Sequence, residues 1–166
     1  MPDKMHEPDR PYMPDYGITA SKKGLLSWEW VDEQMAKSRN YWICSASLAG
    51  KPHATPVWGV WLDRVLYFSC ARSSRKARNL TANPEITVHL ESGDDAVMLE
   101  GRASELTDKA LRARMVEAYS AKYPPFKPNP EAEPTNLYLA VKPRLVFAWR
   151  EQDFTNSATR WRLDES

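Results

Sequence analysis

Residues 72–79 read Arg-Ser-Ser-Arg-Lys-Ala-Arg-Asn, with four cations (Arg72, Arg75, Lys76, Arg78) and two hydroxyls (Ser73, Ser74) inside eight positions. Residues of this kind at the start of a helix make an anion site. The first-turn N–H groups have no partner and the helix end carries about half a positive charge, so cations placed there are disfavoured unless an anion joins them. Backbone N–H groups, the Ser73 and Ser74 hydroxyls, the Arg75 fork and the Lys76 point charge together suit a phosphate. A solvated basic face would explain the charges as well. The order of strand, small-residue turn "CARSS" and helix start tells for the phosphate.

Other phosphate and catalytic schemes are missing from the chain. Neither GxGxxG nor GxxxxGK[ST] occurs, and there are only six glycines. No GxSxG, no Cys-His pair with an orienting third group, and no carboxylate pair at a telling spacing is present. Three histidines (His6, His53, His89) without CxxC or HExxH spacing give no basis for a zinc site built by the protein. Cys44 and Cys70 lie in apolar runs, as buried free thiols of a reducing compartment would.

The totals narrow the partners. With 23 Lys and Arg against 22 Asp and Glu, the net charge of +1 argues against a general nucleic-acid binder, so any basic function is local. No apolar run approaches the roughly 20 residues of a membrane span, and "MPDKMHEPDRPYMPDYG" lacks a signal-peptide core. The expected setting is the cytoplasm. Seven tryptophans supply material for an aromatic pocket or interface without proving one.

The 166 residues form one domain, 17–166, preceded by a Pro-rich, charged arm over 1–16 that is either mobile or laid on a partner subunit. A helix capped by Ser27 runs to about Asn40, with Trp28, Val31 and Met35 on one face. Three strands are expected next: "YWICSASL", "HATPVWGVWL" and "VLYFSC", the last two joined by the turn "DR". The basic helix ends before Pro84. "EITVHLES" and "AVMLEGRASEL" make a hairpin around "GDD", and a helix from Thr107 and Asp108 turns Leu111, Met115, Val116 and Tyr119 to the core. After a Pro-rich loop over 123–136, "LYLAV", "RLVFAWR" and "TRWRL" close the chain as three strands. About eight strands of similar length, two or three helices and no βαβ alternation predict a mainly β (α+β) antiparallel barrel with helices packed at its ends.

The succession "GKPHATPVWGVWLDRVLYFSCARSSRKARNLTANPEITVHLE" resembles the core of the split-barrel proteins related to pyridoxamine 5'-phosphate oxidase. The likeness is specific over residues 40–106 and looser at "FAWRE" and "TRWRL". It implies a six-stranded antiparallel split β-barrel, a homodimer, and FMN or a deazaflavin held at the dimer interface. Carried over to this sequence, it implies that Ser74, Arg75 and Lys76 hold the cofactor phosphate with Asn79 nearby. Thr55, Pro56, Val57 and Trp58 would meet the ring, and Ser69, Cys70 and Ala71 would line the strand end between. The residues agree in one respect: Pro56 lacks an N–H and so marks a bulge or interrupted edge where a flat ring could approach the backbone. Trp58 and Trp61 are equally explained as core residues.

The absence of a catalytic dyad fits a cofactor enzyme, in which the ring moves the hydride and the protein positions it. The expected function is hydride transfer between a reduced flavin or deazaflavin and a small organic acceptor. "VWGVWLDRVLYFS", "RKARNL" and "ATRWRL" look most like the flavin/deazaflavin oxidoreductase branch, where coenzyme F-420 is often the partner. "TRWRLDES" is not the substrate-phosphate motif of the vitamin oxidases, which speaks against pyridoxamine phosphate oxidation. Arg160 and Arg162 would either meet the cofactor tail from the other subunit or solvate an edge strand. A second expectation is a non-enzymatic flavin or haem binder with His53 or His89 as axial ligand. A third is a single-stranded nucleic-acid binder, against which the near-zero net charge counts.

Overall fold

The computed structural model describes residues 5–131 and 133–164. Among them one curled antiparallel sheet carries eight strands in the order β2 (Pro52–Val57), β1 (Tyr41–Ala46), β5 (Glu85–His89), β6 (Asp95–Glu105), β7 (Asn136–Arg150), β4 (Val65–Ala71) and β3 (Val60–Leu62), with β8 (Thr159–Arg162) added on β7. Four α-helices accompany it. The fold is an α+β split barrel. No helix among the described residues is long and apolar enough to cross a membrane.

Helix α1 (Trp28–Lys37) starts where Ser27 accepts from the Trp30 N–H, and it buries Trp28, Val31 and Met35. Strand β1 (Tyr41–Ala46) follows and alternates strictly, burying Tyr41, Ile43 and Ser45. β2 (Pro52–Val57) pairs with β1 and forms one edge of the sheet. The single strand expected over "HATPVWGVWL" is in fact two. The chain leaves β2 at Trp58–Gly59 and enters β3 (Val60–Leu62) at the opposite edge. A Cβ at Gly59 would lie 2.8 Å from the carbonyl oxygen of Tyr67, so this crossing needs glycine.

Asp63 and Arg64, both at positive φ, turn β3 into β4 (Val65–Ala71) in a two-residue hairpin. Helix α2 (Arg75–Ala82) leads on to β5 (Glu85–His89) and β6 (Asp95–Glu105), which pair as a hairpin. Helix α3 (Lys109–Lys122) is capped by Asp108. Met115, Val116 and Tyr119 are buried and Leu111 half-buried, but Arg112 is buried too. Its guanidinium donates to the carbonyl oxygens of Pro130 (2.7 Å) and Leu106 (3.2 Å), fastening the Pro-rich loop to the helix.

The two closing strands expected on either side of Pro143 are one, β7 (Asn136–Arg150). Its proline is accommodated by an irregularity: Glu100 faces Leu145 and Gly101 faces Pro143, leaving Arg144 as the extra residue. With strands from 3 to 15 residues, the expectation of similar lengths fails as well. After a 3-10 turn and the short helix α4 (Phe154–Ser157), β8 (Thr159–Arg162) returns along β7.

The core divides in two. The larger part fills the barrel, with Ile43, Phe68, Val88, Leu99, Val146 and Trp161 essentially inaccessible. The smaller part lies between α3 and strands β3, β4 and β7 around Met115, Tyr119, Tyr123 and Tyr138. Of the segment expected as an arm, residues 1–4 lie outside the described residues. Residues 5–9 run along the chain's own β8, with Asp9 bridged to Arg160 and Met5 to Leu163.

Candidate functional site

The basic helix start is built as its residue types require. Ser74 caps α2 by accepting from the Ala77 N–H at 3.3 Å, and its own N–H turns back to the Ala71 carbonyl at 2.9 Å. The N–H groups of Arg75 and Lys76 take no acceptor among the described residues, as expected of a first turn.

The four cations differ in what holds them. Arg72 is ion-paired with Glu105, and Arg78 folds back onto the Ser73 carbonyl. Arg75 reaches only the carbonyl oxygen of Pro52, at 3.3 Å, and Lys76 has no carboxylate partner among the described residues. The anion site legible in the sequence therefore contracts to Arg75, Lys76, their N–H groups and the Ser74 hydroxyl. Asn79 is buried beneath it, its amide donating to Ser45 Oγ at 3.1 Å, and so ties α2 to β1.

Ser69, Cys70 and Ala71 end β4, paired with Tyr138, Leu137 and Asn136. Burial pushes the Cys70 thiol up, while a hydrogen bond from Ser74 and the charges of Lys76 and Arg72 pull the other way. This strand end and the helix start thus share one place. On β2 the side chains alternate: Pro52, Ala54 and Pro56 are exposed, and His53, Thr55 and Val57 are half-buried opposite Ser45, Ile43 and Tyr41 of the core face. Pro56 sits in regular register opposite Trp42 on an edge strand. The edge reading of Pro56 holds, and the bulge reading does not.

His53 was legible only as an axial-ligand candidate, yet it is the residue of β2 that the basic helix acts on. Its Nδ1 is buried with no hydrogen-bond partner, and burial first, then Arg75 and Lys76, hold the imidazole below its ordinary range. The period of two that puts His53 on the face of Thr55 and Val57 was the available signal. His89, the other candidate, stacks on Trp42 with centroids 6.1 Å apart, and its Nδ1 lies 2.8 Å from the Leu90 carbonyl.

Trp58 belongs to a different cluster. Past the far end of the 6-residue β2, about 20 Å of strand from its start, the indole is 37% exposed and stacked on Tyr123. Arg39 lies 5.1 Å from its centroid, and Phe126 meets it edge-on. Trp61 instead packs toward α1, its Nε1 donating to Asp32 at 2.8 Å. β2 is thus a rail between a cationic helix start and an exposed aromatic cluster. Arg160 and Arg162 lie apart from both, each bonded to Asp9.

No group of three or more His, Cys, Asp or Glu side chains among the described residues could hold a metal ion. A phosphate-bearing ring fits what is there: two cations with no carboxylate partner among the described residues, open N–H groups and a strand edge that leads away from them.

The family model for pyridoxamine 5'-phosphate oxidase matches residues 28–150. No curated protein matches the chain. Among solved structures, the conserved hypothetical protein Rv2991 from Mycobacterium tuberculosis superposes with a TM-score of 0.65 at 20% identity, covering 76% of this chain and 86% of that one. HutZ, a haem storage protein from Vibrio cholerae, gives 0.62 at 14% identity over 71% and 91%. An F-420 reductase gives 0.52 at 20% identity over 69% and 94%. At these identities the likenesses bear on the fold alone.

Proposed function

The chain belongs to the pyridoxamine 5'-phosphate oxidase family, and on that premise we propose that it is an oxidoreductase using FMN or the deazaflavin F-420 to exchange a hydride with a small organic acceptor. The observation that carries this is the pair Arg75 and Lys76, left without a carboxylate among the described residues at the start of α2 while Arg72 and Arg78 are engaged elsewhere. Ser74, Arg75 and Lys76 would hold the phosphate. Thr55, Pro56, Val57 and Trp58 would border the ring, and Ser69, Cys70 and Ala71 the space between. When bound, the ring supplies the hydride chemistry.

The protein's own part is positional and electrostatic. Arg75 and Lys76 offset the phosphate charge, and the N–H groups of the first turn add fixed donors that need no reorganisation. Asn79, through Ser45, keeps α2 in place on β1. Proline at 56 leaves the sheet edge without one N–H beside the ring.

The same proposal includes a homodimer in the cytoplasm. The homodimer is supported by a row of side chains aligned across the outer face of the sheet, Trp42, His89, Met98 and Phe147, each opposite the next and each half-buried. A row in which three of the four side chains are large and apolar suits a second copy better than water.

The test is the absorption spectrum of the purified protein and its titration with FMN, F-420 and haem. Binding of FMN or F-420 with a Kd below about 100 µM, roughly 5.5 kcal/mol, is the expected result. Failure of all three to bind at that level overturns the proposal, and binding of haem alone makes the protein a haem carrier.

A further inference from the structure

We propose that His53, as a neutral imidazole with its proton on Nε2, is a third side-chain donor to the phosphate group held by Arg75 and Lys76. This rests on the functional reading above and adds to it a residue and a protonation state.

Position comes first. β1–β2 pairing sets His53 opposite Ser45, the residue to which Asn79 anchors α2. The Arg75 guanidinium crosses to the carbonyl oxygen of Pro52, the neighbour of His53 in the chain. The imidazole therefore lies where the first turn of α2 meets the edge strand.

The protonation state follows from what surrounds the ring. Nδ1 is buried and has no hydrogen-bond partner among the described residues, while the residue as a whole is only half-buried, so Nε2 is the nitrogen left facing outward. A proton on Nδ1 would be a buried donor with no acceptor, whereas a proton on Nε2 faces outward, where water or a ligand can accept it. The proton accordingly belongs on Nε2. Nor is a second proton favoured. The charged groups acting on the ring are Arg75 and Lys76 of α2, both cations. Its cross-strand neighbour on β1, Ser45, is uncharged. The result is a fixed N–H donor facing the same side as two cations, an arrangement that an anion completes and a metal ion or a cationic ligand would oppose.

The experiment compares FMN and F-420 binding, by fluorescence titration, to the wild type, His53→Phe and His53→Gln. Glutamine can place an N–H donor where Nε2 stood, and phenylalanine fills the space without one. The expected result is a roughly tenfold weaker Kd in His53→Phe for whichever cofactor binds, with His53→Gln within about threefold of the wild type. Equal affinity in wild type and His53→Phe, or a glutamine variant as weak as the phenylalanine one, overturns the assignment. Nitrogen-15 NMR of the wild type alone gives a second readout, with Nε2 protonated and Nδ1 bare at pH 7 and above. An imidazolium at pH 7 or a proton on Nδ1 overturns it as well. If neither cofactor binds the wild type, the functional reading falls and His53 with it. If one binds and the His53 variants do not differ, only the role of His53 falls.

Discussion

The indole of Trp58 lies flat on the phenol ring of Tyr123, with centroids 4.6 Å apart and planes 2° from parallel. The same tyrosine fixes the backbone at the next residue. Its hydroxyl accepts from the Gly59 N–H at 3.1 Å, and its own proton is within reach of the carbonyl oxygens of Arg39 (2.7 Å) and Gly59 (2.9 Å). One side chain from the end of α3 thus holds the point where β2 gives way to β3.

Replacing Tyr123 by Phe keeps the stack and removes the hydroxyl, which leaves the Gly59 N–H buried without an acceptor. The expected cost is about 1–3 kcal/mol of stability, read as a lower denaturant midpoint with an unchanged m-value. A variant as stable as the wild type would show that water replaces the hydroxyl at the crossing.

Lys122 contributes to the same point, its Nζ donating to the Tyr41 hydroxyl (2.8 Å) and the Gly59 carbonyl (3.1 Å). Burial lowers its pKa to about 8. A neutral amine still has two N–H groups, enough for both bonds. The folded pKa lies below that of the unfolded chain, so above pH 8 the unfolded state binds more protons and stability rises with pH toward the ordinary lysine range. Burial shifts the hydroxyls of Tyr41 and Tyr119 upward, so their linkage begins only near pH 10 and leaves a window from about 8 to 9.5. Across that window the stability difference between wild type and Lys122→Met should grow. A flat difference would mean that the ammonium is solvated.

The sequence revealed what local rules govern. The Ser27 cap, the helix start at Thr107 and Asp108, the Asp63–Arg64 turn and the stop before Pro84 all depend on neighbours a few residues away. The division of "HATPVWGVWL" did not show, because its apolar alternation continues through Trp58 and Gly59. What breaks it is Tyr123, 64 residues on. The continuity of β7 through Pro143 was hidden for a like reason, since it depends on Gly101 of β6: a Cβ there would meet the Lys142 carbonyl oxygen at 2.1 Å. At the candidate site, sequence supplied the cations but not their partners. Glu105 lies 33 residues from Arg72, and that ion pair decides which charges remain for a ligand.

The N-terminal segment yields a third prediction. Arg10 donates to four carbonyl oxygens, those of Ser21, Lys23, Asn156 and Ala158, at 2.6–3.0 Å. Asp9 meanwhile accepts from Arg160 at 2.9 and 2.8 Å. Arg10→Lys keeps the charge but not the fork, and should cost about 2 kcal/mol. Asp9→Asn should cost less, about 1 kcal/mol after solvent screening. The Arg160 hydrogen bonds and charge hold the Asp9 carboxyl below its usual range. Its contribution is therefore present above the ordinary carboxylate pKa and is lost as pH falls through the folded value. Hydrogen exchange of the Asp9 and Arg160 amides, which bond to each other's strand, should quicken in Arg10→Lys. Unchanged exchange would show the segment to be held by its apolar contacts instead.

The last prediction separates binding from stability at the helix start. Cations in the first turn of α2 oppose the helix dipole by a few tenths of a kcal/mol each, and neither Arg75 nor Lys76 has an ion pair among the described residues to offset this. Removing either should leave the apoprotein melting temperature nearly unchanged or slightly higher. Arg75→Ala gives up one 3.3 Å bond to the Pro52 carbonyl, so it should gain less than Lys76→Ala. Cofactor affinity should move the other way, weakening by roughly 1.5–3 kcal/mol for each lost charged hydrogen bond. Arg72→Ala and Arg78→Ala serve as controls, because those side chains are engaged by Glu105 and the Ser73 carbonyl and should change affinity little. Four variants with equal losses would mean that the site senses net charge alone, and a loss confined to Arg75 and Lys76 would mean that position decides it.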